Sequence, residues 1–414
     1  MTLKKQMLSY TAVNILNAAV PFLLLPILTV YLSPGDYGLL SLIQLLMLVS
    51  LPLVLMNTHG LLTIEYSKLP LEKFKRLVST IIWIPIGGFL LLEILFYFLE
   101  VFIVQYFHIP VKYVYYIPVF LLVQSIPSLV SIIFQAKKDP FNFGKYKITM
   151  TIVNVLLSLL LVVTFNLGWE GRLFGIVSTF FIFTIIGLVI LFKLKLLSLS
   201  LDKQFLKEAL IFGIPLIPHS IAGIFLAMSD RIFLSNMLGN DAVGIYSVAF
   251  QISSMVTIIM SSINQAWAPN LYEKLNNDPT LNEKKQIVKQ TYIIMAGMSI
   301  ITILFIIVSP VIYDIFIDKA YYQGKELSRF ITLAFLFQGF YFMITNYIFY
   351  SKKTYILSYI TVFCLAVVFI SNYYLIQRFG IKGSAYAMLI TWVIYFFISW
   401  AVSNKIYSMP WRLK

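Results

Sequence analysis

The sequence predicts an all-α integral membrane protein: twelve transmembrane helices in two pseudo-symmetric six-helix bundles around a central lumen. Three observations carry that prediction. Sixty per cent of the 414 residues are apolar and 12% are charged, with a mean hydropathy of +0.89, so little is left to clothe a soluble surface. Twelve apolar stretches run from Met7 to Asn404, long enough for helices that need ~20 residues to cross a ~30 Å hydrocarbon core. The gaps between them alternate between lysine-rich and lysine-poor. In lipid the backbone must satisfy its own hydrogen bonds, and barrel strands would be shorter with alternating polarity, so helices are the sensible reading.

The first segment, 7–32, is too long for a signal peptide and no small-residue cleavage site follows it. It places Tyr10, Asn14 and Asn17 on one face and holds Pro21 and Pro26. Segments 39–62 and 78–99 come next, the third carrying Glu93, and 117–135 aligns Gln124, Ser128, Ser131 and Gln135 on one face. Segments 148–166 and 173–192 complete the first half, which ends at residue 197. In the linker, 198–210, Leu201, Phe205 and Ala209 recur every four residues opposite Asp202, Lys203 and Lys207, which suits an amphipathic helix on the cytoplasmic interface.

The second half, 211–414, opens with the seventh segment, 209–235, which carries Pro215, Pro218, Asp230 and Arg231. On the eighth, 245–266, Ser247, Gln251, Ser254, Ser261, Ser262 and Gln265 share one face at 3.6 residues per turn. Segments 291–313, 328–349, 355–376 and 384–403 follow, with Gln338, Tyr341 and Thr345 on the tenth and Cys364 in the eleventh. The longest gap, Ala268–Thr291, reads as a polar cytoplasmic loop. Most of the 31 lysines and arginines fall in the N-terminus and every second gap, so the positive-inside bias puts both termini in the cytoplasm. That bias and attraction to anionic lipid account for the net charge of +14; basic residues so dispersed argue against nucleic acid as a partner.

Several chemistries are excluded. No gap is large enough for a soluble catalytic domain, and neither a Walker A motif nor a glycine-rich dinucleotide fingerprint occurs. His59, His108 and His219 lack metal-ligand spacing, and a single cysteine forms no intramolecular disulfide. The reading is a non-enzyme with no cofactor and no metal. Its candidate working parts are polar residues at membrane depth. An ionisable group there costs at least ~2.5 kcal/mol unless it faces a wet cavity or a partner. Asp230 and Arg231 are neighbours whose side chains point ~100° apart on a regular helix and so are expected not to meet. The stripes on the fourth and eighth segments read as walls of a hydrophilic lumen, against the alternative that small and amide side chains glue helices together. Pro21, Pro26, Pro215 and Pro218, in the opening segments of both halves, mark candidate hinges, against fixed packing kinks.

Three weak internal matches keep a common order. Leu32–Ser41 aligns with Leu238–Ser247, Phe134–Lys138 with Phe349–Lys353, and Gly168–Gly171 with Gly380–Gly383. Parallel repeats of this kind imply a pseudo-two-fold axis along the membrane normal.

The stretch Asn17-Ala-Ala-Val-Pro-Phe-Leu-Leu-Leu-Pro26 through Ser-Pro-Gly-Asp-Tyr-Gly38 resembles the opening of Wzx-type polysaccharide biosynthesis flippases, as do Ser229-Asp-Arg-Ile-Phe-Leu through Ile-Tyr-Ser-Val-Ala249 and Gln265-Ala-Trp-Ala-Pro-Asn-Leu-Tyr272. These belong to the multidrug/oligosaccharidyl-lipid/polysaccharide (MOP) superfamily. The resemblance implies a flippase in a bacterial cytoplasmic (inner) membrane. It would move a polyprenyl-diphosphate-linked oligosaccharide, an O-antigen or capsule-type repeat unit, to the outer leaflet by alternating access. It further implies coupling to a proton or sodium gradient, with Glu93 and Asp230 as candidate carriers, Arg231 as a contact for the diphosphate, and membrane lipid and the polysaccharide polymerase machinery as partners. Two alternatives stay open: a MATE-like drug/cation antiporter, which favours buried carboxylates and an aromatic pocket, and a membrane glycan polymerase, which the short external gaps argue against.

Overall fold

The computed structural model describes residues 13, 20–198 and 200–412, and among them it is helical with no strand. Among the described residues eleven helical stretches are long and apolar enough to cross a membrane, so the chain is a multi-pass membrane protein. The first part of the expected segment 7–32 lies outside the described residues, and Tyr10, Asn14 and Asn17 with it; Val20–Tyr31 (α1) is its described end. The chain forms two compact units, Met1–Met228 and Ser229–Lys414.

In the first unit α1 leads to α2 (Pro34–Leu55), α3 (His59–Glu65), α4 (Leu71–Phe107), α5 (Val111–Ala136), α6 (Pro140–Leu159), α7 (Gly168–Lys193), α8 (Lys203–Gly213) and α9 (Leu216–Met228). Helix starts follow from the local sequence. Ser33 caps α2, its Oγ accepting the Asp36 N–H at 3.1 Å while Asp36 accepts the Ser33 N–H at 3.3 Å, with Pro34 in the first turn. Asp139 and Asp202 cap α6 and α8 with their own carboxylates, which accept the Asn142 N–H and the Gln204 and Phe205 N–H groups. The interior is sealed by Leu77, Val78 and Ile81 of α4, Leu129, Val130 and Ile133 of α5, and Phe183 of α7. Because lipid is as apolar as a leucine side chain, close backbone approach has to hold such helices together. A Cβ on Gly88 of α4 would lie 2.3 Å from the Val54 carbonyl oxygen of α2, so only glycine permits that crossing.

Two expectations are revised here. Segment 39–62 is interrupted: Met56 and Asn57 take positive φ (47° and 48°) between α2 and α3. The linker helix forms, but as Lys203–Gly213, and it packs Ala209 and Gly213 against its own unit. A Cβ on Gly213 would lie 1.9 Å from the Met56 carbonyl oxygen, so the interruption and α8 fit each other. Next, α9 packs on α2, and Asn57 Nδ2 donates to Ser220 Oγ at 3.1 Å. Those contacts place α9 in the first compact unit, which ends at Met228.

The second unit comprises α10 (Asp230–Leu238), α11 (Asn240–Asn276), α12 (Leu281–Phe316), α13 (Gly324–Tyr350), α14 (Tyr355–Phe379) and α15 (Ile381–Ile406). The loop expected over 268–291 is mostly helix. α11 continues to Asn276 and α12 begins at Leu281, where Thr280 and Glu283 cap each other reciprocally. α13 packs on α11, α12 and α15, and the tail beyond α15 folds back so that Tyr292 donates to the Trp411 carbonyl at 2.9 Å.

Each unit repeats two turn geometries. After α5, Lys138 has φ 53° and the Asp139 N–H reaches the Phe134 carbonyl; after α13, Lys352 has φ 56° and the Lys353 N–H reaches the Ile348 carbonyl. The geometry pairs Phe134 with Ile348, one residue off the register read from the sequence. Gly168 and Gly380 both have positive φ (53° and 59°), and three residues on Gly171 and Gly383 each pack against the backbone of the preceding helix.

Candidate functional site

The eighth-segment stripe lies on α11. Ala249, Ser253, Val256 and Met260 are fully buried on one face. Gln251, Ser254, Ser261 and Ser262 are half-buried and Gln265 is exposed, on the opposite face at 100° per residue. Three of the stripe hydroxyls donate to carbonyls of their own helix: Ser254 to Gln251 at 2.6 Å, Ser261 to Ile258 at 2.9 Å and Ser262 to Ile258 at 2.8 Å. Each hydroxyl oxygen therefore keeps lone pairs to accept from a ligand. Beside the stripe, Thr257 pairs with Gln338 of α13, and Asn264 accepts from Asn346 of α13 at 2.8 Å. Tyr341 donates to Tyr395 at 3.3 Å. Thus Gln338 and Tyr341 belong to polar seams between helices, and Thr345 is buried.

On α5, Gln124 and Ser128 are half-buried and Gln135 is exposed, whereas Ser131 is only 5% exposed and donates to the Pro127 carbonyl. The α5 stripe is therefore interrupted by packing. Glu93 is half-buried on α4 and has no ion-pair partner among the described residues. Of the hinge prolines, Pro21 and Pro26 lie within α1, Pro215 stands in the break between α8 and α9, and Pro218 in the first turn of α9.

The expectation that Asp230 and Arg231 do not meet is wrong. Arg231 Nη1 lies 2.9 Å from Asp230 Oδ1, and their side chains are 3% and 6% exposed. The ~100° rule holds inside a regular helix, but the chain breaks at Ser229 and Asp230 opens α10. There the Arg231 N–H has no intrahelical acceptor, and the Asp230 carboxylate takes it at 2.8 Å, which folds the carboxylate toward the guanidinium. The guanidinium also sits over Phe250 at 4.6 Å and near Tyr246 at 5.9 Å, both from α11. The pair is a sealed clasp between α10 and α11.

Another arginine was overlooked. Arg172 falls in the first turns of α7, where its Nη1 donates to Asn154 at 2.8 Å and Ser158 at 2.5 Å, both on α6. Among the described residues it has no ion pair. It lay one residue outside the segment drawn at 173; the helix begins at Gly168. Gly168 and Gly171 before it were the available signal, since they set the turn and the close approach to Leu161, in the π-helical turn that follows α6.

No group of three or more potential metal ligands occurs among the described residues. The arrangement can offer hydroxyl and amide groups, one arginine with neutral partners, and one carboxylate at membrane depth.

Fold and site together define a polytopic helical membrane protein with polar surface inside its spans. A profile of the polysaccharide biosynthesis protein family matches residues 3–273, and the chain belongs to that family. A MatE profile matches residues 215–374. The chain is 25% identical over 284 residues to the capsular polysaccharide biosynthesis protein CapF of Staphylococcus aureus, spanning 64% of this chain and 70% of the relative. It is 24% identical over 367 residues to an uncharacterized membrane protein of Haemophilus influenzae, spanning 86% and 85%. Its fold is similar to an inward-facing MATE family multidrug resistance transporter of the MOP superfamily, with TM-score 0.68, 12% identity and coverage of 94% and 95%. It is equally similar to the lipid II flippase MurJ in an inward closed conformation, with TM-score 0.68, 14% identity and coverage of 96% and 87%.

Proposed function

We propose that this protein is a flippase that carries a polyprenyl-diphosphate-linked oligosaccharide from the lysine-rich, cytoplasmic leaflet to the opposite one by alternating access. The observation that carries the reading is the α11 stripe: a row of hydroxyl and amide groups at membrane depth, left open on the face opposite the packed one. Lipid-facing surface is apolar, and helix packing alone would bury such groups. Sugar hydroxyls both donate and accept, and the stripe offers both functions. Membership of the polysaccharide biosynthesis family supports the same cargo class.

The roles divide by charge. Arg231 is neutralised by Asp230, so we assign it to the α10–α11 joint and give the diphosphate contact to Arg172, whose partners are neutral. A guanidinium binds phosphate oxygens through two parallel hydrogen bonds, and lysine cannot reproduce that fork. Asp230 is tied up in the same pair, which leaves Glu93 as the carrier for a coupling proton or sodium ion. The break at Pro215 and the prolines of α1 are the hinges of this reading. Its repeat unit is six helices on either side of the α8 linker.

The drug-antiporter alternative draws on the MatE match and on aromatic rings of α13 and α15. Of those rings Trp392, Tyr395 and Phe396 are at most 9% exposed and belong to packed core, which favours the glycan reading, whereas Phe349 and Phe397 are 50% and 51% exposed. The test is export in cells lacking the native protein. The combined variant Gln251→Leu, Ser254→Val, Gln265→Leu should stay at normal membrane abundance, accumulate lipid-linked glycan in the lysine-rich leaflet and lose most surface polysaccharide. Full export by this variant would overturn the proposal.

A further inference from the structure

At the lysine-rich end of the first unit a cleft of about 380 Å³ opens between α6 and α7, with the end of α5 behind it. Its rim carries Lys145 and Asn142 from α6 and Lys193 from the last turn of α7. Both lysines are exposed. Its floor is aromatic: Phe134, Tyr146 and Phe183 stack edge to face, and Tyr146 donates to the Phe183 carbonyl at 3.1 Å. Gly187 keeps that floor close, because a Cβ there would lie 2.9 Å from Ile126. The open side is completed by Thr149, Ile186 and Ile190, and Ile186 is 39% exposed.

The order of these groups along the helices is the informative point. From Lys193 back to Ile186 the cleft descends about 10 Å along α7, at ~1.5 Å per residue. Cations therefore stand at the helix ends, and apolar surface extends beneath them into the span. That is the profile of one phospholipid: phosphate at the rim, glycerol at Thr149, upper acyl chain along Ile186 and Ile190. Among the described residues no acid lines the cleft, and Asp139, three residues before Asn142, caps α6 and accepts from Asn142 Nδ2 at 2.6 Å, so it is engaged with its own helix start.

We infer that this cleft is a binding site for an anionic membrane phospholipid, held by Lys145 and Lys193 through its phosphate and by the Phe134–Tyr146–Phe183 floor through its acyl chain. The site stands apart from the residues assigned to transport, and its test does not depend on export. The full-length protein is purified and titrated with phosphatidylglycerol, phosphatidylcholine or inorganic phosphate, and retained lipid is counted by native mass spectrometry. Phosphatidylglycerol should be retained on the wild type, and phosphatidylcholine should not. The double variant Lys145→Gln, Lys193→Gln should lose affinity by roughly tenfold or more, given the attraction of each lysine for an anionic headgroup. Lys145→Arg, Lys193→Arg should keep it. Thr149→Trp, which fills the cleft below intact lysines, should abolish retention. Three results would each overturn the inference: equal retention by the Gln variant, displacement by inorganic phosphate with no effect of Thr149→Trp, or preferential capture of a prenyl phosphate over phosphatidylglycerol.

Discussion

Asp230→Asn removes one charge from a pair that is almost wholly shielded from solvent. The Arg231 guanidinium then loses its anionic partner and keeps the ring faces of Phe250 at 4.6 Å and Tyr246 at 5.9 Å. Such contacts return ~0.5–2 kcal/mol, and Arg231 Nε is already without a partner. Breaking a buried pair by removing one member costs ~3–5 kcal/mol, because the surviving charge stays buried. Removing both charges is often neutral, so Asp230→Asn with Arg231→Met should lie within ~1 kcal/mol of wild type. Unfolding free energy is read by sodium dodecyl sulfate titration in mixed micelles, with membrane abundance and glycan export measured alongside. The single variant should lose ~3–5 kcal/mol and much of its abundance, and the double should recover both together with export. If Asp230→Asn is as stable as wild type, the clasp is not structural. If the double variant is stable but fails to export, Arg231 touches the cargo and the assignment to the joint is refuted.

Cysteines at Gln251, Ser254, Ser261 and Gln265 (with Cys364 replaced) should react with small water-soluble thiol reagents, and cysteines at the buried positions Val256 and Met260 should not; equal labelling would mean that the stripe is not a wet wall. Gly88→Ala should cost ~1–3 kcal/mol, because its Cβ meets the Val54 carbonyl oxygen. Gly87→Ala, with open space at the same depth, should be neutral in the same unfolding assay. Reporter fusions at Lys75, Lys138, Lys284 and Lys353 should read cytoplasmic and those at Asp36, Lys112, Asp241 and Lys382 external; two external readings among the first four would overturn the orientation. Arg172→Gln should lose most export at normal abundance while Arg172→Lys keeps part of it, and full export by the Gln variant would remove Arg172 from the cargo site.

Span number and helical class were legible because a bilayer imposes length and composition on every crossing, and those are read directly from apolar runs. What was not legible came from side chains acting at helix ends. Hydropathy draws 209–235 as one segment, yet Pro215 breaks it at α8 and the Asp230 carboxylate captures an amide at the start of α10. The same capture turns two neighbours assumed to diverge into an ion pair. Arg172 was missed for the opposite reason: polar residues at a helix start look like loop in a hydropathy trace, although α7 already includes them. Packing against α2 decides that α9 belongs with the first unit, and no periodicity records that. On α11 the shared face of Gln251, Ser254, Ser261, Ser262 and Gln265 was readable, because 3.6-residue spacing fixes which residues line up, whereas packing buries Ser247 at the head of the same stripe, 5% exposed, which spacing does not show.

Arg231 and Arg172 show how one residue type takes opposite roles. A cation in a low-dielectric layer is tolerated only with compensation. Arg231 receives a full negative charge from the adjacent residue and two aromatic faces, so an added anion would have to displace a partner already in contact. Arg172 receives an amide oxygen and a hydroxyl, which satisfy hydrogen bonds but leave the charge uncompensated. An arriving diphosphate would supply the missing charge, and its departure would restore the starting cost, which is what a carrier that must release its cargo requires. The α11 serines follow the same logic in neutral form. Bonded back to their own helix, they are satisfied without cargo and still accept from any sugar hydroxyl. On the flippase reading such a wall would recognise carbohydrate as a class, so specificity for one repeat unit would have to come from elsewhere than the stripe.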